Sequence, residues 1–166
     1  MAESKVYFED NTLKVIDNTE NAVEAVLLEC AAEMVSQTAR NTRVKTGQLK
    51  GSWKSEVHKT ANGYEAVIGS PLEQALWEEF GTGEYALNKD GRKGYWVFVK
   101  GSDGSTTHTG KSYSLKEAKR VMAILRSKNL DAYYTNGKKP SRAFWKAFTQ
   151  LKSKLINHIQ NSLKGL

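Results

Sequence analysis

The residues of this 166-residue chain best suited to chemistry are two adjacent carboxylates, Glu78 and Glu79. They lie in the run Leu76-Trp77-Glu78-Glu79-Phe80-Gly81-Thr82-Gly83. Two carboxylates can divide acid and base roles, and glycines beside a hydroxyl residue can cradle a phosphate. The local pattern opposes both uses. Neighbouring helical residues point about 100° apart, so Glu78 and Glu79 diverge instead of converging on a substrate. Gly81-Thr82-Gly83 follows a helical pattern, whereas a phosphate loop precedes one, and neither it nor Gly101…Gly104 ends in a lysine and hydroxyl pair. His58, His108 and His158 fall in a strand, a glycine-rich loop and a polar helix end, none with a partner at metal-ligand spacing. Ser52 and Ser70 lack a nucleophile-elbow context. The single cysteine, Cys30, allows neither an intramolecular disulfide nor a cysteine-rich zinc site. Within an apolar helical pattern it reads as a buried structural thiol. These residues predict no enzyme, no cofactor and no metal.

The elements that hold these residues follow from periodicity. Residues 5–16 alternate as a small hairpin, with Asp10-Asn11 at the turn. Ala22, Val23, Val26, Leu27, Cys30, Ala31, Met34, Val35 and Thr38 form a helical stripe, predicting a long helix over 19–42. Two glycines make 44–53 a loop. Trp53–Thr60 and Tyr64–Ser70 read as strands joined by Asn62-Gly63, with Trp53 and Val57 sharing a face of the first and Tyr64, Ala66 and Ile68 sharing a face of the second. Ser70-Pro71-Leu72-Glu73 has the form of a capping box. Behind it Leu72, Ala75, Leu76, Glu79 and Phe80 follow the helical period, so Leu76 and Phe80 are expected inward and Trp77 and Glu78 to the side. Glu79 lies at the edge of that stripe, placed for an interface salt bridge or a helix-end bond. Gly81 is expected to end the helix in a left-handed conformation.

Residues 95–100 read as a strand, and 101–112 as a polar loop, exposed and mobile in the free protein. A second capping box, Ser114 to Glu117, opens a helix with the stripe Leu115, Ala118, Val121, Met122 and Leu125. Residues 132–134 read as a strand closed by Asn136-Gly137. Pro140-Ser141 opens a last helix, 141–163, with Phe144, Ala147, Phe148, Leu151, Leu155, Ile159 and Leu163 on one face. The expected fold is α+β: an antiparallel sheet packed by a long N-terminal and a long C-terminal helix. It forms a single domain, 1–166, with an inserted basic strand–helix–strand module at 92–138.

Composition agrees with a soluble globular chain, with 39% hydrophobic and 26% charged residues. No apolar run reaches membrane-spanning length, and MAESKVYFED lacks the apolar core of a signal peptide, so a cytoplasmic setting is expected. The net charge of +7 is unevenly spread. Residues 1–91 hold 9 Lys/Arg against 15 Asp/Glu, and residues 92–166 hold 16 against 3. Such polarity suits nucleic acid or the acidic half of a neighbouring copy. The basic candidates for either partner are Lys116, Lys119 and Arg120 on the inserted helix, and Lys138, Lys139, Arg142 and Lys146 around the start of the last one. Tyr133, Tyr134 and Trp145 lie near them in sequence, a mixture that can hold strands without reading their sequence. No helix-turn-helix, zinc-finger or RNA-recognition signature accompanies them.

Several motifs then fall into one order. Thr46-Gly47-Gln48-Leu49-Lys50-Gly51-Ser52 follows the first helix, and a hairpin ends in Val67-Ile68-Gly69-Ser70. Ala75-Leu76-Trp77-Glu78-Glu79-Phe80-Gly81-Thr82-Gly83 comes next, and Pro140-Ser141-Arg142-Ala143-Phe144 opens the final helix. This order resembles the gene-product-ten-like tail components of lambda-like siphophages, known as neck, tail-completion or minor capsid proteins. The resemblance covers about residues 19–86 and 138–163. Two departures stand out: Ser141-Arg142-Ala143 separates Pro140 from Phe144, and the 95–136 module is longer than the family's minimal link. It looks like the version carried by phages and prophages of Gram-positive bacteria. The resemblance implies a virion protein of the head–tail joining region, assembled in the host cytoplasm. It would form a ring, of six copies, around the DNA channel between head-closure or connector proteins and tail-terminator or tail-tube proteins. The expected subunit contacts are Trp77, Glu78, Glu79, Phe80, Gly81 and Thr82, with DNA as a non-specific contact of the basic residues and no membrane partner.

Overall fold

A computed structural model describes residues 12–44 and 47–164 of the chain. Its elements are α1 (Thr12–Asn41), β1 (Lys54–Thr60), β2 (Gly63–Gly69), α2 (Glu73–Phe80), β3 (Trp96–Lys100), β4 (Thr106–His108), α3 (Leu115–Ser127), β5 (Asp131–Thr135) and α4 (Ala143–Leu163). Short 3₁₀ turns occupy Lys50–Ser52 and Gly83–Tyr85. The class is α+β, with long helices at both ends and two small antiparallel sheets. The chain divides into two compact units, and the division falls within α4 between Trp145 and Lys146.

The first unit holds α1, the β1–β2 hairpin and α4 from Lys146 onward. Cys30, Ala31 and Met34 of α1 are buried, as are Ala147 and Leu151 of α4. Small side chains at helical spacing let the backbone approach its neighbours closely. Thr38 is also fully buried, and its hydroxyl donates to the Met34 carbonyl at 2.8 Å, which satisfies it within the helix. Burial first, then Glu33 and Glu29, push the Cys30 thiol above its usual range, which keeps it protonated and unreactive. In the hairpin, Val57 faces Ala66 and Ser55 faces Ile68, the more buried positions of each strand. Gln37 bonds Gln150 at 2.9 Å, and Glu29 bonds His158 at 2.9 Å, so His158 is a hydrogen-bond partner on the helix surface.

Three expectations change here. The second strand of the proposed N-terminal hairpin is helical, because α1 begins at Thr12; residues 5–11 lie outside the described ones. Leu13 and Val15 alternate too briefly to separate a strand from a helix, and Ile16 breaks that alternation. The β1–β2 turn is Ala61-Asn62, with Gly63 paired to Thr60 at a φ of 137°. Residues 106–108 of the expected loop form β4, an exposed edge strand on β3.

The second unit contains the order β4-β3-β5 with α3 on one face. Val97, Ala118 and Ala132 are fully buried, and Tyr95, Val99, Val121, Met122, Leu125 and Tyr134 pack around them. Leu115, the first residue of the predicted stripe, stays 40% exposed. The capping box that opens α3 forms as its sequence predicts: Ser114 Oγ accepts from the Glu117 amide, and the Glu117 carboxylate accepts from the Ser114 amide. The box expected at Ser70 does not form. Ser70 Oγ lies 2.7 Å from Ser52 Oγ and accepts from Leu72 N, so α2 starts at Glu73 without a side-chain cap.

Candidate functional site

The run around Glu78 and Glu79 is held by hydrogen bonds to the segment before α4, and its orientation reverses the sequence expectation. Ala75 and Glu78 point inward. Leu76, Trp77 and Phe80 are 58%, 44% and 46% exposed. Two short-range facts explain the reversal. Glu78 has a cationic partner, Lys138 Nζ, that makes its burial tolerable, and its main-chain carbonyl accepts from Ser141 N, Arg142 N and Ser141 Oγ. The inward side of α2 is therefore occupied by polar contacts, and its apolar residues are left outside.

Burial alone would raise the Glu78 carboxyl. Lys138, the Ser141 hydroxyl and Arg43 outweigh it and hold the group below the usual carboxylate range. One carboxylate oxygen, Oε2, is buried with no hydrogen-bond donor among the described residues. It borders a recess of about 270 Å³ lined by Arg43, Gln48, Gln74 and Lys138.

Glu79 works at a helix end. Its Oε2 accepts from Phe144 N and its Oε1 from Trp145 N, both at 3.0 Å. These are first-turn amides of α4, which have no acceptor within their own helix. The α4 sequence has no acidic residue in its first turn, and Ser141 is already committed to Glu78. A carboxylate from α2 thus caps α4 and meets the positive end of its dipole. Of the two roles open to Glu79, this is the helix-end bond.

Gly81 has φ 74° and ψ 177°, a positive φ as expected but an extended ψ, so it ends α2 without a left-handed helical turn. Thr82 and Lys138 then exchange both backbone hydrogen bonds, at 3.0 and 3.3 Å. Glu84 N donates to Asn136 O at 2.9 Å, and the Glu84 carboxylate accepts from Asn136 Nδ2 and Gly94 N. The two segments run so close that a Cβ on Gly83 would lie 2.3 Å from Asn136 O, and one on Gly137 2.0 Å from Thr82 O. Both positions also have positive φ, so glycine is required twice over.

The two halves of the sequence motif therefore meet. Glu78, Glu79, Gly81 and Thr82 grip Lys138, Ser141, Arg142 and the start of α4. Trp77 and Phe80 stand outside that grip. Ser141, Glu84, Asn136 and Gly137 complete the clamp and were not singled out as site residues by sequence reasoning, although Ser141 and the Asn136-Gly137 pair stood out there as structural punctuation. Of the basic candidates, Lys116, Lys119 and Arg120 are exposed on α3, and Lys138 is tied to Glu78. Lys139 Nζ lies over the Tyr85 ring at 5.4 Å, and Arg142 over the Trp145 ring at 4.9 Å. Lys146 is exposed in the first unit. Among the described residues no group of His, Cys, Asp and Glu could hold a metal ion.

A clamp of this kind binds the chain to itself. The family comparison bears on what it serves. Residues 8–99, more than half of the chain, match the HK97-gp10-like family model, described as "Bacteriophage HK97-gp10, putative tail-component". The chain belongs to this family. No curated protein and no solved structure matches it. Within the matched span lie α1, the β1–β2 hairpin, α2 and the Gly81-Thr82-Gly83 exit. Membership makes this a phage tail-component protein of the virion that meets other phage structural proteins. No helix among the described residues is long and apolar enough to cross a membrane.

Proposed function

We propose that this HK97-gp10-like protein is a structural, non-catalytic component of the phage head–tail joining region, a neck or tail-completion protein. It forms a closed ring around the DNA channel, between head-closure or connector proteins and tail-terminator or tail-tube proteins. Six copies is the number the family resemblance implies. The supporting observation is the outer side of α2. The family match includes this helix, its Glu78 and Glu79 are turned into the protomer, and Leu76, Trp77 and Phe80 are left exposed. Three large apolar side chains on an eight-residue helix suit a contact made on assembly. A ring needs two different, complementary faces on each subunit, which the uneven charge of this chain can supply. Electron microscopy of the purified protein and of virions tests the reading: rings at the neck are expected, and a monomer absent from virions overturns it.

A second reading is a non-specific DNA-binding module. Lys116, Lys119 and Arg120 are exposed on α3 and form no ion pair among the described residues. DNA affinity that falls steeply with salt is its expected signature, and absence of binding at low salt removes it.

A further inference from the structure

The β4-β3-β5 sheet has one face covered by α3 and one face open. On the open face Trp96, Phe98 and Lys100 of β3 stand opposite Thr135, Tyr133 and Asp131 of β5, and His108 of β4 stands opposite Phe98. His108, Phe98 and Tyr133 form a row of rings across the three strands, with centroids 6.1 and 5.6 Å apart. Beside this row opens a cleft of about 470 Å³ whose walls include Trp77, Trp96, Phe98, His108, Thr135 and Lys138. Cations lie over the rings of this sheet. Arg92 lies 5.2 Å over the Trp96 ring, and Lys100 and Arg126 lie 4.6 and 5.4 Å over the Tyr133 ring. None of these three forms an ion pair among the described residues, and Asp131 is the one acidic residue in the three strands.

An aromatic sheet face with cations suggests two kinds of occupant, a nucleic-acid strand or an acidic protein surface. The ring geometry favours the protein. Phe98 and Tyr133 are stacked on each other at 24°, and the cations already cover Tyr133 and Trp96, so few ring faces remain for a base to lie on. What the cleft offers is apolar walls with positive charge beside them, which a phosphate backbone cannot fill but apolar side chains flanked by carboxylates can.

This chain carries such a surface. Asp17, Glu24 and Leu28 recur at helical spacing on one stripe of α1, whereas Ile16 lies to the side of it and Val15 on the opposite face. Leu28, the apolar member of this stripe, is 48% exposed. Glu20, Glu29 and Glu33 have partners in Lys59, His158 and Lys154. Asp17 and Glu24 form no ion pair among the described residues, and Asp17 adds only to the negative field on Lys59.

We infer that the cleft bordered by Trp77, Trp96 and Phe98 seats the acidic N-terminal half of α1 from a second copy of this chain. The contact is head-to-tail, one patch against a different patch, and repeating it produces a ring or a filament. It deepens the ring reading and rests on it, and the following experiment separates the two. The oligomeric state of the full chain is measured by sedimentation velocity and native mass spectrometry across concentration. Asp17→Lys/Glu24→Lys and Arg92→Glu/Lys100→Glu are each expected to raise the half-assembly concentration at least about tenfold, because each sets like charges against the other patch. Mixing the two reversals in one chain restores assembly to within about threefold of wild type. Circular dichroism and thermal unfolding establish that each variant is folded, and Trp77→Ala provides an independent lesion of the same cleft. Assembly unchanged in the single reversals, or lost in them without rescue in the combination, overturns the cleft contact while leaving the ring reading standing. Loss of binding to a single-stranded oligonucleotide in Arg92→Glu/Lys100→Glu with assembly intact assigns the face to nucleic acid and also overturns it. A wild-type chain that stays monomeric at every concentration overturns both readings.

Discussion

Glu78 shows how one buried carboxylate can decide which way a helix faces. Its neighbours favour its charged form despite burial, so its folded-state pKa lies below its ordinary value of 4.5. A depressed carboxylate contributes stability that is complete above the unfolded pKa and is lost as pH falls through the folded pKa. Lys138→Met removes the partner and leaves the carboxylate buried, so at neutral pH it is expected to cost about 2 kcal/mol. Below about pH 4.5 the difference between variant and wild type shrinks as Glu78 protonates in both. Urea denaturation at a series of pH values checks this; a pH-independent difference would locate the effect elsewhere. The position of Glu78 was not legible in its sequence. A hydrophobic stripe ranks Leu76 and Phe80 as inward, and nothing local announces a lysine sixty residues later that reverses the ranking. Glu79 was more legible: its place at the edge of the stripe predicted a helix-end bond, although not the helix it would cap.

At the level of elements, α4 begins with help from outside itself. Its first-turn amides at Phe144 and Trp145 depend on Glu79 of α2. Glu79→Ala is expected to cost about 1 kcal/mol, with Glu79→Gln milder because one carbonyl acceptor remains. Thermal unfolding reads the cost, and faster amide exchange at Phe144 and Trp145 locates it; unchanged exchange there refutes the cap. Elements whose cues are all local were readable from sequence: α3 with its Ser114–Glu117 box, the paired strands β1 and β2, and the stripe of α1 around Cys30. Those decided by distant partners were not. Ser70 looks like a cap by its neighbours, and its hydroxyl instead sits against Ser52, eighteen residues earlier. The strand β4 has three exposed polar residues with no alternation to reveal them, and only its pairing with β3 defines it.

For the whole molecule, the outward side of α2 is where folding and assembly separate. Trp77 adds little to the interior, being 44% exposed, so Trp77→Ala is expected to leave the unfolding temperature of the isolated chain within about 2 °C of wild type. Ring formation in the same variant should fall severely, measured as particles per micrograph at fixed concentration. Unfolding of the monomer with no separate loss of rings would make Trp77 an interior residue instead. The charge balance of the chain was legible from composition, and so was its family from the order of motifs. How those motifs lock together was not, because the lock consists of backbone pairs between Thr82 and Lys138 that carry no side-chain signature.

That pair of backbone bonds has a topological consequence. Thr82 and Lys138 are bonded as the last rung of a ladder, and Gly83 and Gly137 stand next to each other across it. Everything from Glu84 to Asn136 is an excursion that leaves and returns through one doorway two glycines wide, and it carries its own interior of Val97, Ala118 and Ala132. Splicing the chain there would join Thr82-Gly83 to Gly137-Lys138, a two-residue Gly-Gly hairpin across a rung that already exists. A chain lacking residues 84–136 is expected to fold cooperatively and to keep the Glu79 cap on α4, visible as protected amides at Phe144 and Trp145. That outcome would make the excursion a cassette, exchangeable without disturbing the frame that holds its two ends, and loss of cooperative unfolding would make it part of that frame.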